Sequence, residues 1–307
     1  MTSLHHNPSP PLTRSLLGKF FRFLRQPRYA PETGLMPRQI LGNVMRLYSL
    51  AIALLIPIVI VIQILSSTVI KLDDNKFRDI LQNMPLLGFV FLAVVFAPIF
   101  EESIFRLPLR YSPLNLSIAL ILVLSLAGPL FLGQAAPWIL LSVLLGIILL
   151  SFCLGARLAQ RTRTDHVHRW YARHLKGLIY GSAILFGLIH ITNYHRGAWA
   201  FAPVLVLPQV TLGFFLAYIR LKYGFWWAVF THALHNFIVT TPLLVLLLGS
   251  DQLQQQVLYQ SKDVTLAPLD YGLLLVVLGA MVLGLTVTVL SVLKLFKDWQ
   301  AEKRVLG

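Results

Sequence analysis

Apolar residues in this chain do not alternate as in a strand, nor recur every three to four positions as in a half-buried helix. They run on for about twenty residues at a time, separated by short basic or mixed segments. A helix needs roughly 20 apolar residues to cross the hydrocarbon of a bilayer. Eight stretches meet or approach that length: 47–70, 86–109, 114–132, 137–156, 177–194, 199–219, 225–248 and 271–293. The second qualifies only if Glu101, Glu102 and Arg106 lie inside it, and the third and fourth are close enough to pair as a hairpin across 133–136. No internal repeat and no low-complexity segment interrupts the series. The pattern predicts an all-α fold, a polytopic membrane helical bundle of about eight transmembrane helices.

Composition supports that reading. Hydrophobic residues make up 57% of the 307 and charged residues only 12%, against about 25% charged in a soluble domain. The length alone would suggest two soluble domains; the apolar fraction excludes them. The lone cysteine, Cys153, rules out an internal disulfide framework and a cysteine-based zinc ribbon.

A formal net charge of +14 raises the question of nucleic acid. Lys and Arg concentrate on the cytoplasmic side of membrane proteins. With the amino terminus inside and eight alternating spans, 21 of the 26 basic residues fall inside, and only Lys71, Lys76, Arg78, Arg196 and Lys262 fall outside with most of the aspartates. Topology accounts for the charge, so no nucleic-acid partner is expected. Both termini are then inside. The chain divides into a basic cytoplasmic segment at 1–46, a membrane-embedded domain at 47–293 and a short cytoplasmic tail at 294–307. The first 40 residues lack the apolar core and small-residue cleavage site of a signal peptide. Within them, 15–24 interleaves Leu and Phe with Lys19 and Arg22, which fits either a basic amphipathic helix on the inner membrane surface or an unstructured basic tail.

Ionisable and amide groups within a span are costly and mark function or a paired structural element. They occur here as Glu101-Glu102-Ser103-Ile104-Phe105-Arg106 in the second span, Phe186-Gly187-Leu188-Ile189-His190 in the fifth and His232-Ala233-Leu234-His235-Asn236 in the seventh; His195-Arg196 reads as a solvated outer turn. At about 100° per residue, Arg106 lies within ~40° of Glu102 but ~140° from Glu101. Glu102 and Arg106 therefore suit an i,i+4 ion pair, and Glu101 points elsewhere without a local counter-charge. Such a carboxylate suits general acid–base work. His232 and Asn236 share a face with His235 on its flank, and Phe186 stands one turn below His190. Counting ~1.5 Å per residue from the inner ends puts Glu101 roughly 14 Å deep, His190 roughly 20, His232 roughly 10 and Asn236 roughly 17, all in one slab. Each motif alone is as well explained by helix packing; their common depth points to a site.

These motifs resemble the EExxxR, FxxxH and HxxxN signature of the CAAX prenyl protease and bacteriocin-processing (CPBP) family, which carries them on successive membrane helices. The resemblance spans 86–248 and leaves the first span, the amino-terminal segment and the last span outside it. It implies an intramembrane endopeptidase that hydrolyses a peptide bond of a membrane-associated substrate, either CAAX-like or a leader peptide. Glu101 and His190 would activate water, His232 and Asn236 would stabilise the oxyanion, and Glu102, Arg106 and Phe186 would support them. Leu107 and Pro108 depart from the family, which commonly has a small residue such as glycine after the arginine; the resemblance then implies an altered helix exit at the inner mouth. No cofactor is expected. Zinc remains an alternative, with Glu101, His190 and His232 as ligands, disfavoured because Asn236 is a poor ligand and no H-E-x-x-H is present. Partners are the substrate and the lipid bilayer, and the location is a cell membrane, the inner one in a prokaryote. Serine and di-aspartyl intramembrane designs lack their residues, since there is no G-x-S-G and no Asp within a predicted span. Two other readings stay open: a non-catalytic bacteriocin-immunity or scaffold protein of the same family, and a transporter using Glu101 and His190 as a proton relay.

Overall fold

The computed structural model describes residues 15–70, 80, 82–132, 146, 148–150, 153, 165–194, 196–259 and 265–306. Most of the predicted fourth span, at 137–156, lies outside the described residues, as do His195 and the first 14 residues. The described residues fold as helices, with no strand among them.

Helix α1 (Leu16–Arg25) starts at Ser15, whose hydroxyl accepts from the Gly18 N–H at 3.1 Å. α2 (Pro37–Leu65) opens on a proline, where the missing N–H costs nothing, and the Gln39 side chain accepts from the Met36 N–H at 2.9 Å. α3 (Leu86–Leu109) is a single span of changing pitch. It is α-helical over Leu86–Val90, π-helical over Phe91–Phe96, α-helical again over Ala97–Phe105 and 3-10 over Leu107–Leu109. The final tightening coincides with Pro108, which cannot donate back to the helix; the helix exit expected from Leu107-Pro108 therefore takes the form of a 3-10 turn. α4 (Pro113–Leu132) follows at once.

α5 (Asp165–Ile189) passes directly into a 3-10 turn at His190–Asn193. A 3-10 turn at Arg196–Phe201, α6 (Ala202–Leu205) and α7 (Leu207–Lys222) form a broken span bent by 46° at Val206, just before Pro208. Gly224 stands between α7 and α8 (Phe225–Leu246) at φ +114°, a conformation glycine adopts freely, so the two helices reverse within a single short turn. α9 (Asp251–Tyr259) precedes α10 (Pro268–Leu306).

Among the described residues five helices are long and apolar enough to span a membrane: Pro37–Val69, Leu86–Leu109, His168–Asn193, Phe225–Leu246 and Pro268–Val305; the bent pair makes a sixth if counted as one. These match the first, second, fifth, seventh, eighth and sixth predicted stretches, and α4 covers the third as a helix. The helices run longer than their apolar runs because polar ends continue helically beyond the hydrocarbon. This is a multi-pass helical membrane bundle. Leu275, Val276, Leu278, Met281, Val282 and Leu283 of α10 stay exposed, a face that suits lipid chains. The densest packing gathers Val44, Leu47, Ala51, Ile179, Phe215, Tyr218, Leu221 and Leu295 from α2, α5, α7 and α10. α1 joins this core through Leu17, Phe20 and Phe23, so it is a docked amphipathic helix and not an unstructured tail.

Candidate active site

Three helices bring the polar motifs together: α3 lies against α5 and α8, and α8 also packs along the π-helical turn of α3. The carboxylate of Glu101 is the meeting point. Its Oε2 lies 3.8 Å from His190 Nε2 and 3.7 Å from His232 Nε2. Glu101 and His190 keep 21% and 18% of their side-chain surface exposed, while His232 keeps 3%. The cluster is therefore partly accessible through the Glu101 and His190 side chains and closed on the His232 side, while Glu101 Oε2 itself is buried without a hydrogen-bond partner.

The far nitrogens of both rings fix their proton positions. His190 Nδ1 stands 2.7 Å from the Phe186 carbonyl oxygen, and His232 Nδ1 stands 3.0 Å from Glu102 Oε1. A carbonyl and a carboxylate only accept, so each Nδ1 carries a proton. In the neutral rings both Nε2 atoms then present lone pairs toward a carboxylate oxygen that also accepts. Three acceptors face one point. A water oxygen about 2.8 Å from each would bridge the observed separations and donate its two protons to two of the three.

Behind this cluster lies a dry layer. Glu102 and Arg106 are fully buried, with Arg106 Nε 3.5 Å from Glu102 Oε2, the expected i,i+4 pair. The guanidinium carbon lies 4.0 Å from the Phe186 ring centroid, a desolvated cation–π contact. The same ring meets His190 and His232 edge-on, at centroid separations of 4.8 and 5.6 Å. Phe186 thus separates the buried cation from the two imidazoles and holds their planes. Gly213 on α7 admits the guanidinium: a Cβ there would lie 3.3 Å from Arg106 Nη2 and 3.1 Å from Ala183 Cα.

Asn236 sits apart from this convergence, one turn beyond His232 on α8. Its Nδ2 donates to the Ala93 carbonyl at 2.8 Å. The π-helical turn explains why that carbonyl is available. The Ala97 N–H bonds to Leu92 O instead of Ala93 O, and the next residue, Pro98, has no N–H to offer. Ala93 O is thereby left without a helical partner, and the Asn236 amide supplies one. Its second amide proton remains for another acceptor.

Three participants carry no sequence signal strong enough to single them out. Arg220 on α7 donates from Nε to the Arg106 carbonyl at 3.0 Å, satisfying a carbonyl at the end of the helix that carries Glu101. Tyr48 on α2 places its hydroxyl 3.3 Å from His235 Nδ1, so His235 turns away from the cluster toward α2. The Glu102–His232 bond requires knowing which helices are neighbours. Pro98 in a run of apolar residues was a visible signal for the π turn.

The candidate zinc ligands Glu101, His190 and His232 do converge, yet among the described residues no group of three or more His, Cys, Asp or Glu is arranged to hold a metal ion. The Asn236 amide also presents its nitrogen to a carbonyl. No step is derived through a metal.

A family model described as type II CAAX prenyl endopeptidase Rce1-like matches residues 83–238, which is 156 of the 307 residues. Comparison with curated proteins and with solved structures gives no match.

Proposed function

The chain belongs to the Rce1-like family of type II CAAX prenyl endopeptidases, and from that premise we propose that it is an intramembrane endopeptidase that hydrolyses a peptide bond of a membrane-associated substrate, CAAX-like or leader-peptide, by water activated at Glu101. The observation that carries this reading is the convergence of three acceptors on one point at Glu101 Oε2. A water held there donates one proton to the carboxylate and another toward an imidazole, and turns a lone pair to the open side. Attack on the scissile carbonyl carbon forms the new C–O bond while Glu101 takes the proton.

The oxyanion that develops is met by the second amide proton of Asn236. Glu102 on the far side of the His232 ring holds its Nδ1 proton, and Arg106 in turn balances Glu102. Collapse of the tetrahedral intermediate breaks the C–N bond, and the proton held by Glu101 passes to the leaving nitrogen. His190, fixed through Nδ1 by the Phe186 carbonyl, orients the water. The products are a carboxylic acid and an amine, and atoms balance with water as the only co-reactant. The enzyme works in a cell membrane, the inner membrane of a prokaryote. The test is turnover of a quenched, prenylated peptide by detergent-purified protein: Glu101→Ala is expected to be inactive, and equal rates for variant and parent would remove Glu101 as the base.

A further inference from the structure

Outside the matched residues, the two ends of the described chain meet. α1 lies against the last turns of α10. Ser15 donates its backbone N–H to Glu302 Oε2 at 3.1 Å, and its hydroxyl contacts the same oxygen. The Phe21 and Trp299 rings are 5.8 Å apart, and Trp299 meets Phe296 edge-on at 6.1 Å. While Leu17, Phe20 and Phe23 turn inward, Phe21 and Phe296 stay 41% and 40% exposed.

Cations surround these rings. Lys303 Nζ lies 4.0 Å over the Trp299 ring, and Arg22 and Arg25 are exposed on α1, with Arg25 one turn from Phe21 on its face. Of the neighbouring carboxylates, Glu302 holds Ser15 and Glu32 holds Lys19 at 2.9 Å, while Asp298 stands exposed next to Trp299 in the chain. Among the described residues no carboxylate pairs with Arg22, Arg25 or Lys303. Exposed aromatic rings edged by unpaired cations match one kind of surface, the boundary where acyl chains give way to anionic head groups.

Height along α10 agrees. The helix has 39 residues, about 58 Å at ~1.5 Å each, against about 30 Å of hydrocarbon. Its apolar run ends near Leu293, so Phe296 stands about 5 Å and Trp299 about 9 Å past that point, at the depth of the head groups. We propose that α1 and the end of α10 together form a binding site for the head group of an anionic phospholipid. Arg22, Arg25 and Lys303 take the phosphate oxygens, and Phe21, Phe296 and Trp299 rest on the upper acyl chains. The site is composite, since neither helix alone carries both the rings and the charges in this arrangement.

The full chain in phosphatidylcholine nanodiscs tests this, with a minor fraction of either brominated phosphatidylglycerol or brominated phosphatidylcholine. Quenching of Trp299 is read as the difference between the parent and Trp299→Phe. The anionic lipid is expected to quench about three- to tenfold more strongly. That preference should vanish in the triple variant Arg22→Gln, Arg25→Gln, Lys303→Gln. It should survive Lys297→Gln, whose side chain leaves the other side of α10. Lys303→Gln alone, at an exposed helix end, should lose a clear part of the preference, which keeps the test decisive if the triple variant does not fold. Equal quenching by the two lipids overturns the proposal. So does an undiminished preference in Lys303→Gln, or a loss in Lys297→Gln as large as in Lys303→Gln, which would reduce the effect to diffuse surface charge.

Discussion

Glu101 and Glu102 are adjacent in sequence, yet they occupy opposite kinds of surroundings. Glu101 is 21% exposed and faces two imidazole nitrogens across gaps of 3.7 and 3.8 Å; Glu102 is fully buried between His232 and Arg106. One residue of helical rotation, about 100°, separates a wet pocket from a dry buttress. On the proposed mechanism the pair of carboxylates divides chemistry from support, with His232 as the joint, since its two nitrogens face one glutamate each.

Breaking the wet side should cost the most in rate and the least in stability. Glu101→Gln is expected to lower turnover of the quenched peptide by about 10²–10⁴-fold, with thermal stability in detergent unchanged; a loss of stability as well would erase the division. Breaking the dry side should do the reverse. Glu102→Gln leaves the buried Arg106 uncompensated, which costs about 3–5 kcal/mol, read as a fall in unfolding midpoint in a denaturant titration.

A smaller effect is expected where the two sides are braced. Asn236→Leu strands the Ala93 carbonyl, a loss of about 1–3 kcal/mol, and removes the proposed oxyanion donor; stability and kcat should both fall, whereas Asn236→Gln should recover part of the former only. Phe186→Leu removes the ring between Arg106 and the imidazoles and should cost about 2 kcal/mol from the desolvated cation–π contact, measured by the same titration. Least of all, exhaustive chelation should leave turnover within the error of the assay, since no step of the proposed mechanism passes through a metal.

Much of this was legible in the chain. Unbroken apolar runs gave the helices, and the i,i+4 spacing of Glu102 and Arg106 gave the pair found at 3.5 Å. Depth counting was coarser. It placed His190 about 10 Å deeper than His232, yet both reach the same oxygen of Glu101. Helices tilt, and a histidine or glutamate side chain spans several ångströms, so counts along an axis bound a site without locating it. What stayed illegible depends on neighbours in space. Arg220 and Tyr48 look like an inner-end cation and an interfacial phenol until α7 and α2 are placed beside the site. The Asn236–Ala93 bond required a change of helical pitch that period-3.6 reasoning does not contain.

The contact between Ser15 and Glu302 gives the molecule an order of completion. α1 is made before α10, yet part of the surface that receives Phe21 belongs to that later helix. Until α10 is inserted, α1 lacks that partner, and an unfinished chain presents Phe21 without its aromatic neighbour. The docking of α1 thus waits on a helix made about 250 residues later.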